Sequence, residues 1–202
     1  QDLFLERWFD SSTGMLINPG VPRIPDAHKR IIKLPLENND FIRVPPDEER
    51  WKSVNPILPR TLNYIKLHGS YGWLSSNGTN CYVIGRNKED QIHAEPLLSY
   101  YYDLFTEVLS KPDRKLLIIG YSFCDDHINS VIANSIIGSG LKVFIISPVS
   151  QSETFDRIRK LKNGKTILGG ISGYFPYSLL DVFPQDQSDS HAWKEIIGSY
   201  FS

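Results

Sequence analysis

A run of four apolar residues, Leu116 to Ile119, ends at Gly120 and constrains the fold more than any other feature of the chain. A helical apolar pattern follows it, and then a second apolar run, Val143 to Ile146. Continuous runs of this kind are typical of parallel strands buried on both faces. Strands that alternate with helices predict an α/β fold, with a Rossmann-like parallel sheet, flanking helices and right-handed crossovers.

Further elements extend this pattern toward the carboxyl terminus. Ser150 and Glu153 match a capping box for a basic helix that runs through Lys162. Thr166 to Leu168 predicts another short strand, and Ala192 to Phe201 predicts a last helix.

A hairpin and a helix are predicted before the first apolar run. Tyr64 to Leu67 has the pattern of a short strand that ends at His68. The segments on either side of Asn77-Gly78 predict a hairpin, because this pair readily adopts the positive φ angles of a tight turn. Pro96 suits the first turn of a helix that stops before Pro112.

Prolines divide the chain unevenly. Eight of the 13 prolines lie between residues 19 and 59, where each removes an amide donor and disfavours helix. We therefore expect one domain over 1–202, with a proline-rich loop insertion at 11–60, a Rossmann-like core at 61–183, and a polar loop and helix at 184–202.

Charge and cysteine content exclude several classes of function. With 22 basic and 23 acidic residues, the net charge of −1 provides no basic field for a phosphate backbone or an anionic membrane. No apolar run approaches the roughly 18 to 20 residues that span a bilayer. Two cysteines form neither a disulfide framework nor a four-thiolate zinc site. The composition favours a reduced, cytoplasmic protein that binds neither nucleic acid nor membrane.

Three segments are expected at the carboxyl edge of the sheet, where ligands of open parallel sheets bind. These segments are His68-Gly69-Ser70, Gly120-Tyr121-Ser122-Phe123 and Ser147-Pro148-Val149. A glycine lets backbone approach a ligand closely, and a serine beside a helix amino terminus favours phosphate.

Structural interpretations of the same residues stay open. His68 also fits a histidine hydrogen-bonded at a strand end, and Gly120 to Ser122 fits an ordinary turn with a capping serine. Asp125 and Asp126 fit helix caps. Together with His127 they indicate a metal site only weakly, because adjacent helical residues point in different directions.

Two longer motifs carry a resemblance to a known family. They are Lys66-Leu67-His68-Gly69-Ser70-Tyr71-Gly72-Trp73 and Leu117-Ile118-Ile119-Gly120-Tyr121-Ser122-Phe123-Cys124-Asp125-Asp126-His127-Ile128-Asn129. The pair resembles the sirtuin-like NAD hydrolase domains of prokaryotic anti-phage defence proteins. In that family the first motif carries the catalytic histidine, and the second lines the dinucleotide pocket.

The first residues also resemble part of a family motif. Gln1 to Arg7 looks like the end of a threonine-x-asparagine-x-aspartate stretch, so Asp2 would correspond to the aspartate on the nicotinamide side. The chain does not begin with methionine, and we expect the catalytic asparagine and a glycine-rich turn to precede Gln1. The resemblance then covers the carboxyl-terminal part of the family domain.

The resemblance implies that NAD is the substrate and that water cleaves its nicotinamide glycosidic bond, which depletes NAD during abortive infection. His68 would be the general base, and Asp2 would hold the carboxamide. Gly120, Ser122 and the backbone of Phe123 would bind ribose and phosphate, and Ser147 would face the adenosine ribose. The remaining residues assigned to the NAD site by resemblance are Gly69, Ser70, Tyr121, Asp126 and His127. No zinc is expected. The resemblance also implies a homo-oligomer or a defence-system partner protein.

Other functions remain open beside the hydrolase. The chain fits a catalytically incomplete sensor or assembly module that binds NAD or ADP-ribose. A third interpretation is an oligomerisation domain without a ligand. An NAD-dependent protein deacylase is disfavoured, because sirtuin deacylases carry four zinc-binding cysteines and this chain has two.

Overall fold

The computed structural model describes residues 16–17, 42–43, 62–75, 77–185 and 190–201. The chain divides into two compact units, residues 1–104 and 105–202. Most of the predicted insertion at 11–60 lies outside the described residues, and the subdivision of the chain proposed from the sequence stays a prediction. Within the described ranges, no helix is long and apolar enough to cross a membrane.

Five short strands form two small sheets in the first unit. Strand β1 (Leu16–Ile17) pairs in parallel with β3 (Leu62–Asn63). Strand β2 (Ile42–Arg43) pairs in parallel with β4 (Gly69–Leu74), which pairs antiparallel with β5 (Asn80–Tyr82). The predicted strand at Tyr64–Leu67 is wrong, because the chain turns there and the Gly69 amide donates to the Lys66 carbonyl at 2.9 Å.

The predicted hairpin is confirmed as β4 and β5, but its turn differs from the expected one. Within the described part of this loop only Gly78 has a positive φ, 86°. The Asn77 side chain orders the loop instead, since its Oδ1 accepts from the Thr79 amide at 3.0 Å and from the Thr79 hydroxyl at 2.8 Å. Asn77 therefore acts through its side chain rather than through its backbone angle.

Two helices contribute four of the seven side chains in the buried core cluster described in the first unit. Helix α1 (Lys88–Ala94) was not predicted, whereas α2 (Pro96–Leu109) begins at Pro96 as expected. The boundary between the units falls within α2. The core cluster consists of fully or almost fully buried side chains: Trp73, Cys81, Val83, Ile92, Leu97, Leu98 and Tyr101.

The second unit contains a three-stranded parallel sheet flanked by helices, which confirms the predicted fold class. Its strands are β6 (Lys115–Ile119), β7 (Lys142–Ile146) and β8 (Ile171–Phe175), in the order β6-β7-β8. Its helices are α3 (Asp126–Ser139), α4 (Gln151–Arg159), α5 (Gly164–Gly170), α6 (Leu179–Val182) and α7 (His191–Tyr200).

The two apolar runs differ in burial. Strand β7 lies in the centre of the sheet, and its residues Val143 to Ile146 are at most 4% exposed. In β6, Ile118 is buried but Ile119 is 45% exposed. The prediction of burial on both faces is thus wrong for β6, which in the described part of the chain pairs only with β7.

The segment after β7 differs from the sequence prediction. Thr166 to Leu168 is helical, within α5, and the strand follows as β8. Helix α4 ends at Arg159, and its Ser150 hydroxyl accepts from the Glu153 amide at 3.3 Å. The last helix, α7, is confirmed, and its Ile196 is 1% exposed.

Candidate functional site

A cavity of about 190 Å³ opens at the carboxyl ends of β6 and β7 in the second unit. Four buried isoleucines, Ile118, Ile145, Ile146 and Ile158, contribute to its apolar lining. Two βα loops and residues Thr154 and Arg157 of α4 complete it. Five residues predicted for the NAD site line this cavity: Gly120, Tyr121, Ser122, Phe123 and Ser147.

The loop between β6 and α3 contains two residues with left-handed backbone. Gly120 has φ 67°, and open space surrounds the position where a side chain would begin. Phe123 has φ 62° and is 4% exposed. Such an angle is uncommon for a bulky residue, and it persists only where the surroundings impose it. The loop is therefore held in one defined shape beside the cavity.

Asn129 of α3 holds that shape. It is 1% exposed, and its side-chain nitrogen donates to the Phe123 carbonyl at 2.8 Å. Its side-chain oxygen accepts from the Tyr121 hydroxyl at 3.0 Å. The backbone amide of Asn129 donates to the Asp125 carbonyl at 3.0 Å. One buried amide side chain thus connects both aromatic residues of the loop to the helix.

Tyr121 is suited to a positioning role. Its hydroxyl also lies 3.2 Å from the Asp125 carbonyl oxygen, and its ring packs on that of Phe123 with centroids 4.9 Å apart. Burial, together with the Asp125 charge, raises the pKa of Tyr121 well above its ordinary range. The hydroxyl therefore keeps its proton and remains a hydrogen-bond donor.

The loop after β7 is fixed by a second set of hydrogen bonds. The Ser147 amide donates to the Phe175 carbonyl at 3.1 Å, and its hydroxyl accepts from the Val149 amide at 3.2 Å. The Tyr174 hydroxyl donates to the Val149 carbonyl at 2.8 Å and lies 2.8 Å from the buried Thr154 hydroxyl. Among the described residues, the Ser147 hydroxyl thus serves as an acceptor within its own loop.

Arg157 of α4 adds a cation to the cavity wall. It is exposed, and no residue in the described ranges forms an ion pair with it. The neighbouring Asp156 pairs with Arg159 instead. The sequence predictions missed both Arg157 and Asn129, because Asn129 acts through hydrogen bonds to another element and Arg157 joins the cavity lining only in the folded unit.

His68 lies in the first unit, in the turn that leads into β4. It is half-buried, and its carbonyl accepts from the Val83 amide at 2.9 Å. Gly69 follows with φ 71°, and a Cβ at this position would lie 2.1 Å from the Cys81 carbonyl oxygen. The close approach that requires this glycine is therefore made by the β5 backbone.

Lys66 stabilises the same turn from within the protein. It is 8% exposed, and its Nζ donates to the Ser70 hydroxyl at 3.2 Å. The ammonium lies 5.6 Å from the Tyr64 ring centroid and 5.9 Å from that of Trp73, within cation–π range. Ser70 is fully buried, and the Lys66 ammonium is the hydrogen-bond partner of its hydroxyl.

Two other predicted residues, Asp126 and His127, do not line the cavity. Asp126 and His127 occupy the first turn of α3, where Asp126 is exposed and His127 is 7% exposed. Asp2 lies outside the described residues. For these residues, and for Gly69 and Ser70, contact with a ligand stays a prediction.

Cysteines and acidic groups do not form a metal centre in the described part of the chain, where no three His, Cys, Asp or Glu side chains come together in a suitable cluster. Both cysteines are unpaired, with Cys81 buried and Cys124 exposed. Burial, reinforced by the charge of Glu95, raises the pKa of the Cys81 thiol to about 12.

Comparison with protein-family models gives a match. The model of a family described as a SIR2-like domain matches residues 24–167, which is well over half of the chain. The matched span contains the His68 turn, both loops of the cavity and all of α4. A search of curated proteins found no match.

Proposed function

The chain belongs to the SIR2-like domain family, and from this premise we propose that it hydrolyses NAD as part of anti-phage defence. Membership of this family supports a function related to NAD. The cavity between the β6–α3 and β7–α4 loops is the observation that carries the proposal, because five residues expected to contact the dinucleotide line it.

The size and lining of the cavity suit one part of a dinucleotide. Its volume of about 190 Å³ is below the roughly 300–1,000 Å³ of sites that enclose drug-sized ligands. Buried isoleucines provide an apolar surface for a base, and Ser122 and Ser147 provide hydroxyls for a ribose. We assign the adenosine ribose to Ser147, and ribose and phosphate contacts to the loop from Gly120 to Phe123.

The proposed reaction breaks the bond between the nicotinamide nitrogen and C1′ of its ribose. The oxygen of a water molecule bonds to C1′, nicotinamide leaves as a neutral molecule, and one proton is released. The products are ADP-ribose and nicotinamide. Because the leaving group is neutral, placement of the water and stabilisation of the oxocarbenium-like transition state matter more than acid catalysis.

His68 is proposed as the general base that accepts the proton of the water or of a ribose hydroxyl. This assignment comes from the Lys66–Trp73 motif and is independent of the cavity argument. The turn suits such a role, since the Gly69 amide donates to the Lys66 carbonyl and so fixes the backbone around His68. Asp2 is proposed to hold the carboxamide.

The test measures nicotinamide release from NAD by the full-length protein. General acid–base catalysis contributes about 10²- to 10⁴-fold, so His68→Ala should lower the release rate by about that factor and leave the Kd for ADP-ribose nearly unchanged. His93→Ala is the matched control, because His93 is exposed on α1, where it lies 3.4 Å from the Ser99 hydroxyl and packs edge-to-face on the Tyr102 ring. Wild-type activity in His68→Ala would refute the role of His68.

A second candidate function is a sensor that binds NAD or ADP-ribose without cleaving it. One observation favours it: the described lining of the cavity contains neither a carboxylate nor an imidazole. Titration calorimetry with NAD separates the two functions. Saturable binding without nicotinamide release supports the sensor, and steady release supports the hydrolase.

The defence role and the assembly state belong to the same proposal. We propose that the protein acts in the cytoplasm, as a homo-oligomer or with a defence-system partner protein. If so, cells that express it should lose NAD after phage infection, and cells that express His68→Ala should keep it. NAD levels that fall equally in both would contradict this role for the hydrolase.

A further inference from the structure

Arg157 is the one charged residue among the described residues that line the cavity. Ser147 and Thr154 also line the cavity. Thr154 is buried, and its hydroxyl forms a hydrogen bond with the Tyr174 hydroxyl. No aspartate or glutamate of the described ranges lines the cavity. The described lining thus combines one arginine with hydroxyl-bearing residues and contains no carboxylate residue.

Within the described ranges, no carboxylate forms an ion pair with the exposed Arg157. On the same helix, Asp156 is engaged by Arg159. Glu153, one turn before Arg157, makes no ion pair with it within the part of the chain that the structure describes. Asp125 and Asp126 lie at the start of α3, outside the cavity lining. A ligand phosphate would therefore meet a single cation on the α4 side.

Arginine and carboxylate select different nicotinamide dinucleotides. Where dinucleotide folds bind NAD, a carboxylate accepts hydrogen bonds from the ribose hydroxyls, and where they bind NADP, an arginine accommodates the 2′-phosphate. The planar guanidinium donates two parallel hydrogen bonds to one phosphate group, which a carboxylate would instead repel.

We infer that this site prefers a dinucleotide that carries a phosphate on its adenosine ribose, NADP over NAD, and that Arg157 determines the preference. The inference rests on the proposed function, since Ser147 is assigned there to the adenosine ribose. The hydrolysis is unchanged in its bonds: water adds to C1′, nicotinamide leaves, a proton is released, and 2′-phospho-ADP-ribose is formed.

The test compares two ligands that lack the scissile bond, ADP-ribose and 2′-phospho-ADP-ribose, by titration calorimetry with the full-length protein. Hydrogen bonds to a charged group correspond to about a tenfold to hundredfold change in Kd, so the wild-type protein should bind the phosphorylated ligand more tightly by that factor. Arg157→Gln should remove the preference, because it should weaken binding of 2′-phospho-ADP-ribose more than binding of ADP-ribose.

Arg159→Gln is the matched control, because Arg159 lies on the same helix outside the cavity lining and pairs with Asp156. It should keep the wild-type preference. Equal affinity of the wild-type protein for the two ligands, or a preference that survives Arg157→Gln, would overturn the inference and leave the proposed function intact. Failure of the wild-type protein to bind either ligand would overturn both.

Discussion

The side-chain amide of Asn129 donates a 2.8 Å hydrogen bond to the carbonyl of Phe123, a residue with left-handed backbone. The donor is 1% exposed, and the acceptor belongs to a residue that is 4% exposed. A strained loop residue is thus tied to the rigid part of the unit by a buried polar group. This arrangement determines the shape of one wall of the cavity.

Asn129→Ala should destabilise the protein by about 2–4 kcal/mol, because it leaves the buried Phe123 carbonyl and Tyr121 hydroxyl with one partner fewer each. Urea unfolding measures this loss. Asn163→Ala is the control, since Asn163 makes one half-buried hydrogen bond, to Ser130 at 3.1 Å, and should cost about 1 kcal/mol or less. Equal costs for the two variants would contradict the positioning role of Asn129.

Gly69→Ala should be far more damaging than Gly85→Ala. Both glycines have positive φ, but a Cβ at Gly69 would lie 2.1 Å from the Cys81 carbonyl oxygen, whereas open space surrounds Gly85. The backbone angle alone costs about 1–2 kcal/mol, and the clash at Gly69 adds about 1–3 kcal/mol or more. Urea unfolding of both variants checks the difference. Similar losses would show that the β5 backbone yields to the added methyl group.

Glu95→Gln should raise the Tm at pH 7.5 and leave it unchanged at pH 3.5. Burial raises the pKa of Glu95 above its ordinary value of 4.5, so the ionised form is disfavoured in the folded protein. Below pH 4.5 the Glu95 carboxyl is protonated in both the folded and the unfolded protein, so its burial does not destabilise the fold. The destabilisation develops as the pH rises through the folded pKa. Thermal unfolding at the two pH values measures it.

Glu107→Gln provides a control of opposite sign. The hydrogen bond from Lys111 lowers the pKa of Glu107, and the Nζ–Oε1 distance is 2.7 Å. The small stabilising effect of this ion pair is present above pH 4.5 and is lost as the pH falls through the folded pKa of Glu107. This variant should therefore lower the Tm at pH 7.5. Shifts of the same sign for both variants would contradict the burial argument for Glu95.

Only one of the two thiols should react in the native protein. Cys124 is exposed, whereas Cys81 is 1% exposed and burial raises its pKa to about 12. Since the thiolate is the reactive form, a maleimide at pH 7.5 should label Cys124 and reach Cys81 only after denaturation. Intact-mass spectrometry counts the labels, and Cys124→Ser should abolish native labelling. Two labels on the native wild-type protein would contradict the burial of Cys81.

The fold of the second unit was predictable where continuous apolar runs in the sequence indicate buried strands. Val143 to Ile146 form the central strand, and their apolar character matches their complete burial. Thr166 to Leu168 was misassigned because a short apolar stretch fits a helix as well as a strand. The segment is helical in the structure, and its Ile167 is fully buried. This burial depends on packing with other elements, which the local sequence does not show.

The loops of the candidate site were predictable, but the residues that shape them were not. A glycine and a serine after an apolar run already indicate a βα loop at the ligand edge of a sheet. Asn129 looks like any polar residue of an amphipathic helix, and its role appears only when Phe123 and Tyr121 come within hydrogen-bond distance. The contacts of Lys66 were not predicted either, because lysine is rarely buried and this one is 8% exposed.

Cys124 directly follows Phe123, the residue whose carbonyl is held by Asn129, and its thiol is exposed. It therefore offers a natural attachment point for an environment-sensitive fluorophore beside the cavity, with no engineered cysteine. A dye at this position would convert filling of the cavity into an optical signal, so that dinucleotide binding and product release could be followed in real time in a single sample.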